Sequence, residues 1–346
     1  MLADVYNRQR DYSNAVTAFK KVIELDANNV AAYVGLGDIQ IRMQKPQEAA
    51  QSLEKALALD PSKNEAKKFL GNAYEDAREW VKAADAYDKY LASGAADAGT
   101  IYQHLGMCRK EAGQFDQAAA AYVEALKSQP QDQSLQYKLA QAYELGGKFS
   151  EAEAAYRKLA EMSPKDAVSY YRGIMSMYDK ANNPTKAIEA AKKVVELDPQ
   201  NEQYIYNVGL MYQKLQKYPE AIESYKKVLV IKPQYDLALF QAGICYYMVK
   251  NYAEALPFFL KDVEVMPDNY YGYLYIGMCH MQVKQFAKAL DPMKKASELK
   301  PEDGTALFNL GVIYLNLKDK YSALEVAKKL QAIDANLAAK LRGYIK

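Results

Sequence analysis

The chain has 346 residues, 50% hydrophobic and 25% charged, with 45 basic against 43 acidic side chains. That balance sets up no net field toward nucleic acid or an anionic membrane, and 12 prolines and 17 glycines without a homopolymer run exclude a collagen-like or disordered chain. Three cysteines cannot build a disulfide framework and two histidines leave little material for a metal site, so neither a metal nor a cofactor is expected.

No segment suits a membrane span or a secretory leader. The start runs through Asp4 into Arg8, Arg10 and Asp11, and the uncharged runs 237–249 and 269–283 fall short of the ~18 residues that cross a bilayer. A soluble protein is expected, with its free thiols pointing toward a reducing, cytoplasmic setting. In chain order, a partial unit at 1–29 is followed by nine full units at 30–63, 64–98, 99–132, 133–167, 168–201, 202–235, 236–269, 270–303 and 304–337, and a helical end at 338–346. Three ladders define them. Prolines fall at 61, 130, 164, 199, 233, 267 and 301; glycines at 37, 71, 106, 209, 243, 277 and 311, with Ala140 and Met175 in the two empty slots; alanines at 15, 49, 83, 118, 152, 187, 221, 255 and 289. A common period of 34 or 35 residues in three independent tracks is the mark of a repeat architecture.

Each unit reads as two helices. In 202–235, Ile205, Val208, Gly209 and Tyr212 sit at helical spacing, and Leu215, Gln216 and Lys217 make the turn. Pro219 opens the second helix, where a missing N–H costs nothing, and Ala221, Tyr225 and Val228 continue the period to Pro233. A glycine inside the first helix costs ~1 kcal/mol of helix propensity, which a close helix approach must offset; the alanine ladder is the expected small surface opposite it.

The unit resembles the tetratricopeptide repeat: Tyr33, Leu36-Gly37, Ala49, Leu53, Ala56 and Pro61 in one copy, Ile205, Val208-Gly209, Tyr212, Ala221, Tyr225, Val228 and Pro233 in another. The resemblance covers almost the whole chain and implies an all-α, right-handed superhelical solenoid of stacked antiparallel helix pairs. Because Ala3 already holds the glycine slot, the chain is expected to begin inside a longer array or to be a fragment of a larger protein. Unit 168–201 departs from the pattern, with Met175 in the glycine slot and Ala191 in the aromatic one, and a bend is expected there or near 93–100.

Candidate catalytic motifs dissolve into repeat positions. Gly147-Lys148 lacks the remaining phosphate-loop residues, with Ala142 and Phe149 where glycine and a hydroxyl belong, and Gly113 holds the same turn one unit earlier. Cys108, Cys245 and Cys279 share one small apolar core slot; His280 stands where Tyr212, Tyr246 and Tyr314 pack; and neither histidine has triad partners. No catalytic residue is assigned. The lysine ladder that includes Lys193, Lys261 and Lys295 is followed three residues later by Glu196, Glu264 and Glu298, the spacing of a solvated helix face rather than a phosphate track.

The face opposite the glycine lines the concave groove in tetratricopeptide arrays. In units 30–63 and 64–98 half of its positions are charged. In units 236–269 and 270–303 it reads Leu237, Phe240, Gln241, Ile244, Tyr247, Met248 and Tyr271, Leu274, Tyr275, Met278, Met281, Gln282, without a charge. Tyr206, Leu210, Phe308, Val312 and Leu315 extend it. Apolar surface of that size calls for a cover: an amphipathic helix or extended apolar segment of a protein partner, a second copy of the chain, the superhelix closing over it, or residues 338–346 folding back. A non-catalytic interaction scaffold is the leading expectation, with the recognition arm of a larger enzyme as the alternative. The family's carboxylate clamp supplies a weaker candidate, whose slots here hold Lys68, Asn72, His104, Ser134 and Lys138.

Overall fold

The structure, a computed structural model, describes residues 2–345, excluding the side chain of Asp4. Among these residues there are 21 α-helices, one 3-10 turn and no strand. In chain order come α1 (Leu2–Arg8) and α2 (Tyr12–Leu25), α3 (Val30–Arg42) and α4 (Pro46–Leu59), then α5 (Asn64–Asp76) and α6 (Trp80–Leu91). Next are α7 (Ala98–Glu111) and α8 (Phe115–Ser128), followed by α9 (Gln133–Leu145) and α10 (Phe149–Met162). The 3-10 turn Pro164–Asp166 leads into α11 (Ala167–Lys180), with α12 (Pro184–Leu197) after it. Then follow α13 (Glu202–Lys214) and α14 (Tyr218–Ile231), α15 (Asp236–Met248) and α16 (Tyr252–Val265), α17 (Tyr270–Gln282) and α18 (Phe286–Leu299). The last three are α19 (Gly304–Asn316), α20 (Lys320–Gln331) and α21 (Ala335–Ile345). The chain divides into two compact units, Met1–Met177 and Tyr178–Lys346, with the boundary inside α11.

The helix limits have local causes. Asn29, Asp132, Asn201 and Asp303 each accept a first-turn amide with the side chain, satisfying a donor that the helix cannot. Pro46 and Pro184 stand at helix starts. First helices end on a left-handed residue: Gln44, Arg78, Gln216, Lys250, Lys284 and Lys318 have φ between 58° and 66°. The next amide then reaches back to an orphan carbonyl, as in the 2.9 Å bond from Lys45 N to Gln40 O. α16 and α18 run through Pro257 and Pro292 without a break.

What faces the glycine ladder differs from the sequence expectation. The alanines opposite are fully buried, but the glycines receive large side chains from the second helix four residues further on. A Cβ on Gly209 would lie 2.6 Å from the Tyr225 ring, and one on Gly243 would lie 2.7 Å from the Phe259 ring. The helices approach by seating a ring on a bare backbone, which fills volume better than two small faces in contact. At Gly311 the sister helix offers only Ala327, and Leu341 of α21 fills the space instead.

Candidate functional site

In the second unit the face predicted to be apolar is carried by α13, α15, α17 and α19, and its aromatic rings pack on one another. Phe240 meets Phe259 edge-on at 5.8 Å and Tyr275 at 6.0 Å. Tyr275 in turn stacks on Phe259 at 5.2 Å and meets Tyr247 edge-on at 5.1 Å. Burial pushes the hydroxyl pKa values of Tyr247 and Tyr275 up, so these rings stay neutral. Beside them the Tyr225 hydroxyl donates to Gln213 at 2.7 Å, and the Gln213 amide donates to Gln241 at 2.9 Å, linking α13 to α15.

This packing sorts the predicted residues into three groups. Leu237 (49%), Met248 (52%), Tyr271 (49%) and Leu210 (37%) are exposed. Phe240, Ile244, Tyr247, Tyr275, Met278, Met281, Phe308 and Val312 are half-buried. Tyr206 and Leu274 are buried and cannot contact a partner. Tyr206 lies against Tyr225 and Tyr235, and Leu274 belongs to the core formed with Tyr270, Met293 and Leu310. Their slots point partly at the neighbouring helix pair, which a single-helix pattern does not reveal. The Phe308 end is partly covered: Tyr344 of α21 approaches its ring at 6.2 Å, and the Lys340 ammonium lies 5.2 Å from its centroid. The alternative in which the chain's last residues reach this face therefore holds at that end, and Tyr344 and Lys340 join the site. The Lys300 ammonium, 4.5 Å from the Tyr271 centroid, is a further member. Only the spatial arrangement shows it, because Lys300 caps the end of α18, 29 residues after Tyr271 and outside the first-helix stripe.

In the first unit the clamp slots are already engaged. The Lys68 ammonium bonds Asp97 at 2.5 Å, which raises the lysine pKa and lowers that of the carboxyl. Asn72 accepts the Tyr87 hydroxyl at 2.8 Å. His104 Nδ1 lies 3.0 Å from Glu75, and this bond raises the histidine pKa. Lys138 is half-buried and Ser134 is exposed. Three of the five clamp slots thus have intramolecular partners, and two of these partners are acids, Asp97 for Lys68 and Glu75 for His104.

Profiles described as tetratricopeptide repeat match residues 35–98, 108–167 and 280–338, with shorter matches at 203–235, 1–29 and 176–201. The chain is a tetratricopeptide repeat protein. A probable UDP-N-acetylglucosamine–peptide N-acetylglucosaminyltransferase, SPINDLY of Hordeum vulgare, is 24% identical over 147 residues, covering 41% of this chain and 16% of that protein. The chain therefore matches about a sixth of its curated relative's length. Among solved structures, Naa15/Naa10 bound to HypK-THB aligns with 99% of this chain and 64% of that one at 13% identity and TM-score 0.55, a likeness of fold. MamA residues 41-end from Desulfovibrio magneticus RS-1 aligns with 49% of this chain and 96% of that one at 24% identity and TM-score 0.45.

Within this tetratricopeptide repeat scaffold the remaining motifs take structural places. Cys108, Cys245 and Cys279 are fully buried, and burial pushes each thiol up to about 12, where a thiolate nucleophile is not available. Gly113 and Gly147 are left-handed turn residues, and Lys148 pairs with Asp116 at 2.9 Å. Lys193 bonds Glu196 at 2.6 Å on an exposed face. His280 lies 3.2 Å from Gln285, with its pKa lowered by burial. Among the described residues no group of three His, Cys, Asp or Glu side chains could hold a metal ion. No helix among them is long and apolar enough to cross a membrane.

Proposed function

We propose that this scaffold holds a protein segment with apolar anchors along α15 and α17, without itself catalysing a reaction. The supporting observation is the row of exposed Leu237, Tyr271 and Met248 around half-buried rings, with no charged side chain on that face of either helix. From Leu237 to Met248 the row runs ~16 Å along the helix axis, a length that accommodates about three turns of an amphipathic helix. Tyrosine offers rigid contact area with a polar tip and methionine adapts its shape, so the face suits aliphatic or aromatic anchors spaced at i, i+4 and i+7.

A displayed library of random 15-residue peptides, panned against the full chain, tests the reading. Selected peptides are expected to carry apolar anchors at helical spacing. Their affinity should fall ~100-fold or more when Leu237, Met248 and Tyr271 are all replaced by Asp, while circular dichroism stays helical. Peptides that bind this variant as tightly as the parent would remove the groove from consideration. Tyr275 is unsuitable for the test because its ring stacks on buried Phe259. Self-association through the same face would appear as concentration-dependent light scattering that the triple variant abolishes. The alternative, a recognition arm of a longer enzyme, draws support from the relative named as a probable glycosyltransferase, matched over 16% of its length. It requires a catalytic domain in the same open reading frame.

A further inference from the structure

The second-helix position seven residues after the ladder alanine is a core position. From α10 onward Leu159, Val194, Val228, Ala296 and Leu330 occupy it, all buried, whereas α6 places half-buried Tyr90 there. In α16 the same position is Asp262, and it is only 1% exposed. Its carboxylate accepts one side-chain hydrogen bond, from Asn269 Nδ2 at 2.7 Å. Asn269 is also the cap of α17, its Oδ1 accepting the Tyr271 amide at 3.1 Å. The third member is Gly272, where the flanking units have Ala238 and Ala306; a Cβ there would stand 2.6 Å from Asp262 Oδ2. One departure thus makes room for the other. A carboxyl group replaces a hydrocarbon in the core, and the facing residue gives up its methyl group.

We propose that Asp262 is a proton-dependent positioning residue for α17, seating the helix tightly when its carboxyl is neutral and loosening the α16–α17 contact when it is ionised. Isolation of the group supports this. From α15 the one charged side chain is Asp236, which opposes ionisation. α17 carries no Asp, Glu, Lys or Arg, and His280 lies near its far end. On α16 itself the flanking Lys261 and Glu264 are exposed. On the same two helices burial pushes the Cys245 and Cys279 thiols and the Tyr247, Tyr270 and Tyr275 hydroxyls up, which keeps them neutral.

Burial raises the Asp262 pKa to about 6, only partly offset by the Asn269 hydrogen bond. The folded state therefore binds this proton more tightly than the unfolded chain. The favourable contribution is complete below the unfolded pKa of ~3.9, falls as pH rises toward 6, and is gone above it. An ionised Asp262 retains one amide donor and must draw further solvation from water entering between the helices. Tyr271, exposed on the candidate binding face, lies in the turn that this loosens. Any consequence for binding rests on the proposed groove; the positioning role does not.

Hydrogen exchange of the full chain tests it without a partner. After correction for intrinsic rates, protection of the Leu274–Gly277 amides in α17 is expected to drop between pH 5 and pH 7.5. The limit over that window is ~10-fold, set by the one pH unit between pH 5 and the folded pKa of about 6, and the corresponding amides of α13 should not follow. Asp262→Asn should abolish the pH dependence, and Asp262→Val, the residue at positions 194 and 228, should do so independently. Equal protection of wild-type α17 at both pH values, or persistence of the drop in either variant, overturns the proposal.

Discussion

Replacing Phe259 by alanine is expected to destabilise the second unit by ~3–5 kcal/mol, the range for deleting a buried aromatic side chain. The ring is completely buried, fills the space over Gly243 and supports Tyr275 and Phe240 from below. Truncation leaves a cavity beneath two half-buried rings of the proposed binding face, so the face should lose its shape along with the core. Denaturant melts followed by circular dichroism measure the loss, with Met248→Ala as the surface control, expected to remain within ~0.5 kcal/mol of the parent. A Phe259→Ala cost below that of a surface change would mean that the rings do not rest on one another as described.

The second large effect lies in the first unit. Gly71→Val is expected to cost ~1–3 kcal/mol through overpacking. A Cβ at position 71 would stand 2.5 Å from the Tyr87 ring. That ring cannot readily turn away, because it is fully buried and its hydroxyl bonds Asn72 at 2.8 Å and Glu75 at 2.7 Å. Gly173 provides the contrast. It lies inside α11, and an added Cβ there would meet nothing within 4 Å. Gly173→Ala should therefore raise stability by roughly 0.5–1 kcal/mol through helix propensity alone. Opposite signs for two glycine replacements, read in parallel thermal melts, separate a packing glycine from a permissive one.

The helical architecture was legible because each unit solves the same packing problem, and proline, glycine and alanine recur wherever the solution repeats. Leu215, Gln216 and Lys217, for instance, form the predicted turn between α13 and α14, with Gln216 in the left-handed conformation. The candidate site was less legible. A helical stripe identifies the face opposite the sister helix but not the share of it taken by the next pair, which is why Tyr206 and Leu274 fit the stripe and are nevertheless buried. The clamp slots match the motif only in part, at Lys68, Asn72 and Lys138, and the pairing of Lys68 with Asp97 and His104 with Glu75 joins residues 29 apart in sequence and needs the tertiary arrangement. Asp262 does carry a signal in the sequence, since from α10 to α20 the corresponding second-helix positions are otherwise aliphatic. Its importance emerges only once the slot is known to be buried.

Site-specific photocrosslinking most directly tests the claim that an exposed apolar row on α15 and α17 grips another protein segment. A benzophenone side chain would be placed at Met248 on the proposed face and, separately, at Val230, which is 83% exposed on α14. Illumination with a peptide selected by panning should yield crosslinked product from position 248 and little from position 230. Equal yields, or a product from position 230 alone, would contradict the account by showing that apolar exposure in general, rather than this face, captures the peptide.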